Sequence, residues 1–232
     1  MTTPEPLPYG TPGTPRLAVR GEAHLEVEPE IARLGITISA RGTDRHKALD
    51  DLTRRNNHVI DLLKSHGDAV EKIETSTITI TPQLNDKGRH ERIRAYRGHV
   101  HLAATLGDFT VLGELTTRLA DLELTRLDGP WWDLRNDSPA HREARRRAVH
   151  DAVQRAREYA EALGSRLVAL VELADTEAEH AGPMGPVPRP AAGAMRSAGY
   201  GGGAPATLDL EPQRQTVYAQ VNARLTMTPP VL

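Results

Sequence analysis

Cysteine is absent from the 232-residue chain. Disulfides, thiol catalysis and thiolate metal sites are excluded with it. Aromatic residues are scarce, at 3% of the sequence with one Phe and two Trp. The core must therefore be built from Leu, Val, Ile and Ala, and stacking platforms for single-stranded nucleic acid are not expected. Positive charge is not in excess. Lys and Arg number 29 against 31 Asp and Glu, a formal net charge of -2. A nucleic-acid binder usually shows a basic surplus, so no nucleic-acid partner is expected. No apolar run approaches the roughly 20 residues that span a bilayer, so no membrane span is expected. The opening "MTTPEPLPYGTPGTPR" has neither a basic n-region nor an apolar h-region. It does not read as a secretory signal, and with the initial Met this gives the expectation of a soluble, cytoplasmic protein.

Signatures of chemistry are missing as well. GxSxG, HExxH and acid-rich metal motifs do not occur. "YGGGAP", Tyr200 to Pro205, lacks the Lys-Ser/Thr ending of a phosphate loop. Carboxylates are numerous but scattered, and Asp50, Asp51, Glu28 and Glu30 read as surface groups.

The most charged stretch present is "HREARRRAVHDAVQRAREYAEALG", residues 141–164, with six arginines. Ala144, Ala148, Ala152, Ala156 and Ala160 recur every fourth residue within it. Residues three and four apart share a helix face, so this is one continuous small-residue stripe. The arginines fall mostly off the stripe. Glu143 with Arg147 and Asp151 with Arg155 are i,i+4 pairs in the favourable order. Asp137 or Ser138 suits the cap, Pro139 the first turn and Gly164 the end. The run reads as a solvated helix with a buried alanine seam.

Around that helix the pattern predicts an α+β fold, a largely antiparallel sheet with helices packed on it, in the order ββαββαβαβ-loop-β. Residues 1–15 are a Pro/Gly-rich tail expected to be disordered, and 16–228 form the domain. "RLAVRGEAHLEVEPE" alternates as a strand, and after Pro29 "IARLGITISARG" makes a second, close enough for a hairpin. "TDRHKALDDLTRRNNHVIDLLKSHG" is a helix with Ala48, Leu49, Leu52, Val59, Ile60 and Leu63 on its apolar face. "IETSTITITPQL" and "IRAYRGHVHLAATLGD" are partner strands. "FTVLGELTTRLADL" has helical spacing, "LTRLDGPWWDLRND" is extended, and "RLVALVELADT" is a strand. Residues 178–212 turn to Pro and Gly and read as a long flexible loop before the last strand, "RQTVYAQVNARLTM".

Three groups of residues are candidates for function. His99 and His101 lie on one strand face and could hold zinc with a third ligand such as His24 or Glu26. Val100 takes the opposite parity and Arg97 shares the histidines' face, so a solvent-facing polar strand side explains the pair better, and no metal is expected. Adjacent strand residues point to opposite faces, which makes one of Trp131 and Trp132 a candidate outward contact, but packing of both indoles under adjacent loops is the favoured expectation. Met184, Val187, Met195 and Tyr200 are apolar anchors that a pure linker does not need, and they point to self-contact by the loop.

Taken together, the pattern resembles the SIMPL-domain family. The resemblance rests on "VRGEAHLEVEPEIARLGITISARGTDRHKAL", on "IETSTITITPQL" and "YRGHVHLAATLGDFTVLGEL", on "EARRRAVHDAVQRAREYAEALG" and on "TVYAQVNARLTM", across residues 16–228. It implies an α+β fold, a tendency to self-associate and no known catalytic residues. Some bacterial members are connected with oxidative-stress protection and others with the cell envelope. The expectation is a non-enzymatic, cofactor-free, self-assembling protein, a scaffold in stress response. The alternatives are an adaptor module that holds a protein partner through the Pro/Gly loop or an exposed Trp, and a metal-dependent enzyme around His99 and His101.

Overall fold

In a computed structural model the structure describes residues 10–84, 93–175 and 208–231. They carry seven strands and three α-helices in the order ββαββαβαββ, with two antiparallel sheets. The described residues fall into two compact units. One holds 10–27, 136–175 and 216–231, the other 28–84, 93–135 and 208–215.

The second unit holds β2 (Ile31–Gly42), α1 (Arg45–Lys64), β3 (Val70–Leu84), β4 (Ile93–Leu106), α2 (Phe109–Ala120) and β5 (Thr125–Asp133). Its sheet runs β3-β4-β2-β5. Alternation explains which face is dry. Leu34, Ile36 and Ile38 of β2, with Val100, Leu102, Ala104 and Leu106 of β4, are buried against Leu52, Val59 and Leu63 of α1 and Leu112, Leu115 and Leu119 of α2. Asp44 caps α1 by accepting from the Lys47 N–H at 2.9 Å, and Asp108 caps α2 by accepting from Thr110 and Val111. Leu49, expected inward, is 42% exposed. The inward faces of Ala48 and Leu52 already fill the seam, and Leu49 sits one helical step to the side.

The first unit holds β1 (Arg16–Val27), α3 (Pro139–Ala162), β6 (Leu167–Asp175) and β7 (Gln215–Met227). The sheet order is β1-β7-β6. The expected β1–β2 hairpin does not form, because β1 pairs with the last strand instead. Only Glu28, Pro29 and Glu30 separate β1 from β2, and Pro29 has no N–H to donate to a hairpin ladder.

Helix α3 follows its sequence pattern closely. The Ser138 hydroxyl accepts from the Ala140 N–H, Pro139 opens the first turn and Gly164 takes a positive φ of 65° just past the end. All five alanines of the stripe are buried. The seam is tight. A Cβ built on Gly21 of β1 would lie 2.1 Å from the Ala148 carbonyl oxygen and 2.7 Å from the Ala152 Cβ. Glycine on the strand and alanine on the helix thus let the two backbones approach closely, with Val19, Ala23, Val221, Ala223 and Leu225 closing the core around them. The outer face carries its charge in pairs: Glu143 with Arg146 at 2.9 Å and Arg147 at 2.8 Å, Asp151 with Arg155 at 2.8 Å.

Candidate functional site

Among the described residues helices cover one face of each sheet, and exposed side chains are found on the other faces and at the edges. The edge strand β6 is the most apolar of these surfaces. Val168, Leu170, Val171 and Leu173 are exposed at 63%, 54%, 49% and 45%, four large apolar side chains on a strand of nine residues. The pairing register supplies the reason. Leu167 faces Met227 and Ala169 faces Thr226, which leaves Val168 as an extra residue; Leu170 faces Leu225 and Glu172 faces Arg224, which leaves Val171 extra. Two bulges therefore turn the valines out of the ladder. Leu170 and Leu173 pair with the core residues Leu225 and Ala223 and share their side of the sheet. Helix α3, however, lies along β1 and reaches β6 only marginally. Among the described residues no helix covers the inward leucines of β6.

On the other face of this sheet, polar groups are interlinked. Arg20 donates to the Tyr218 hydroxyl at 3.2 Å, and that hydroxyl donates to Gln220 Oε1 at 2.7 Å. The Tyr218 hydrogen bond, helped by the charge of Glu22, raises the Arg20 pKa above its ordinary value. The His24 ring rests against Tyr218 at 4.8 Å.

The uncovered face of the four-stranded sheet holds the sequence candidates. His99 Nδ1 is 3.0 Å from Ser39 Oγ, and His101 Nδ1 is 3.1 Å from Thr37 Oγ1. Each imidazole is half-buried and tied to a hydroxyl of β2. The third ligands considered for a metal, His24 and Glu26, lie on β1 in the other sheet. Among the described residues no three His, Cys, Asp or Glu side chains are grouped as metal ligands. Trp131 and Trp132 take opposite faces. Trp132 is half-buried and meets Phe109 edge-on at 4.8 Å, while Trp131 is 54% exposed. The loop candidates Met184, Val187, Met195 and Tyr200 lie outside the described residues.

Sequence reasoning missed β6 as a surface. The signal was present: "RLVALVELADT" is apolar without alternation, which suits a strand buried on both sides or one bulged and partly bare. It also missed the placement of Trp131 over Gly35, which only the cross-strand register reveals.

Two antiparallel sheets with helices packed on them define an α+β protein. The chain belongs to the SIMPL family, described as protein of unknown function (DUF541), which it matches over residues 17–225. Two curated relatives are each the "26 kDa periplasmic immunogenic protein", from Brucella melitensis biotype 1 and from Brucella abortus strain S19. Each is 26% identical over 167 residues, 69% of this chain and 66% of the relative, so the match spans just under two thirds of their length. A crystal structure from Burkholderia cenocepacia, described as a proposed amidohydrolase/peptidase, aligns with a TM-score of 0.26 and 14% identity over 50% of this chain and 29% of that one. That likeness supports neither a fold assignment nor an activity. The expected cytoplasmic location is overturned by the relatives, both of which are named as periplasmic. Neither a polar opening stretch nor the lack of cysteine separates the two compartments, since a folded protein without disulfides is stable in either.

Proposed function

We propose that this chain is a periplasmic, non-enzymatic scaffold that assembles with copies of itself through the bare apolar side of β6. The observation that carries the reading is the run Val168, Leu170, Val171 and Leu173, exposed together on one edge strand. Burying a half-exposed Leu or Val in an interface contributes about 1 kcal/mol per side chain, so four such residues on each copy favour association. The two bulges disfavour strand-to-strand hydrogen bonding at this edge, so packing of side-chain faces is the mode of contact. The contact strand is β6, an edge strand of its sheet, whereas β7 runs between β1 and β6. The periplasmic location is carried over from the Brucella relatives.

A second reading, an adaptor that holds a different protein, is favoured by the same exposed leucines and by Trp131. Size-exclusion chromatography with light scattering separates the two. Purified full chain alone forms a multimer if the scaffold reading holds. A monomer at all concentrations would leave the adaptor reading in its place.

A further inference from the structure

The uncovered face of the four-stranded sheet carries an arrangement that self-assembly does not use. Trp131 of β5 lies over Gly35 of β2: a Cβ at Gly35 would stand 3.2 Å from the Trp131 ring and 3.2 Å from His101 Cε1. The missing side chain is what lets the indole and the imidazole sit side by side on the sheet. Toward the far end of β2, Thr37 is joined to His101 and Ser39 to His99, with Thr77 and Thr79 of β3 beside the two histidines in the register.

The row ends in a charge conflict. Arg41 of β2 stands directly opposite Arg97 of β4, on the same face as the histidines. Like charges directly opposite in an antiparallel pair are destabilising. The other charged groups of this face are neutralised: Arg33 by Asp133 at 2.8 Å, Arg126 by Asp128 at 2.7 Å, Lys72 by Glu74 at 2.8 Å. Arg41 and Arg97 form no ion pair among the described residues, and the nearby Asp44 carboxylate is engaged by Lys47 and Thr43.

We infer that this face binds an acidic oligosaccharide, with its carboxylate held between Arg41 and Arg97 and a sugar ring stacked on Trp131. The charge decides the sign of the ligand, since two opposed guanidiniums with no ion pair among the described residues ask for a carboxylate that each can grip through paired N–H donors. The backbone decides against an added peptide strand. β2 and β4 are both paired on both sides, so only side chains are offered here. Those side chains are hydroxyls, imidazoles and one indole face. Hydroxyls and imidazoles hydrogen-bond a polyol, and the indole's negative face attracts the C–H bonds of a pyranose. The six residue-to-residue steps from Gly35 to Arg41 span about 20 Å at strand rise, so the ligand is an extended oligomer and not a monosaccharide. The inference goes beyond the assembly reading and shares no residue with it.

The test uses full chain carrying Trp132→Phe, which leaves Trp131 as the only indole, and follows its emission during titration with oligogalacturonate. A saturable change is expected. It weakens about tenfold or more in Arg41→Gln and in Arg97→Gln, a loss of about 1.4 kcal/mol, and with uncharged malto-oligosaccharide of equal length. Monomeric galacturonate at matched carboxylate concentration leaves the emission unchanged. Calorimetry on chain with both native tryptophans gives the same affinity, and Trp131→Ala weakens it. No saturable change with oligogalacturonate overturns the inference. So does equal affinity in the arginine variants, in Trp131→Ala, or for the monomer. Circular dichroism of each variant confirms that the fold is kept.

Discussion

Gly21 is a residue whose smallness is structural. With the Ala148 carbonyl oxygen 2.1 Å from where a Cβ would stand, any side chain must push α3 off β1. Overpacking of this kind costs about 1–3 kcal/mol. Gly21→Val is therefore expected to lower the unfolding free energy by that amount, read as an earlier denaturant midpoint, whereas Gly13→Ala, which meets nothing within 4 Å, leaves it unchanged. Asp51 makes a second residue-scale test. Burial works against its ionisation, but hydrogen bonds from Arg55, at 2.9 Å, and Arg54 outweigh burial and hold the carboxyl below its ordinary 3.8. A carboxyl depressed in the folded state stabilises it above the unfolded pKa, and that stability is lost as pH falls through the folded value. Asp51→Asn is expected to be less stable than the parent at neutral pH, with the gap closing in acid below 3.8. Urea unfolding across that range measures it, and a gap that widens in acid contradicts the pairing.

At the scale of elements, the sequence was most legible where a period was clean. Alanine at every fourth position of α3 identifies its buried face without further help, and all five are buried. The arginines beyond that stripe are exposed or half-exposed and partly paired with Glu143 and Asp151. Replacing Arg145, Arg146 and Arg147 together by Gln is expected to cost no more than about 1 kcal/mol, because exposed pairs contribute little. Salt-dependent binding of DNA or RNA by the parent, lost in the triple variant, would contradict the solvated-helix reading. β6 was not legible in the same way. Its apolar run predicts burial, but the bulges at Val168 and Val171 and the course of α3 along β1 are properties of pairing and packing that no single-strand pattern contains. Leu49 failed for a related reason, since the edge of a helix's apolar arc is set by the width of what it packs on.

For the whole molecule, alternation specifies which face of a strand is dry but not which strand lies beside it. The order of elements and the fold class follow from the periods. The division into a β1-β7-β6 sheet and a β3-β4-β2-β5 sheet depends on the last strand pairing with the first, a contact between the two ends of the chain. The functional candidates divide along the same line. Trp131, His99 and His101 were visible as residue types, yet their meaning lies in what the register sets beside them: Gly35, Thr37, Ser39 and the opposed Arg41 and Arg97. The apolar patch on β6 belongs to the first unit alone and carries the central claim, self-assembly. The most direct measurement is the solution mass of the full chain, by light scattering on a size-exclusion column, beside a Leu170→Lys, Leu173→Lys variant. The account predicts a whole-number multiple of 25.4 kDa for the parent and a folded species of 25.4 kDa for the variant. A parent of 25.4 kDa throughout, or a variant that keeps the multimeric mass, would contradict it.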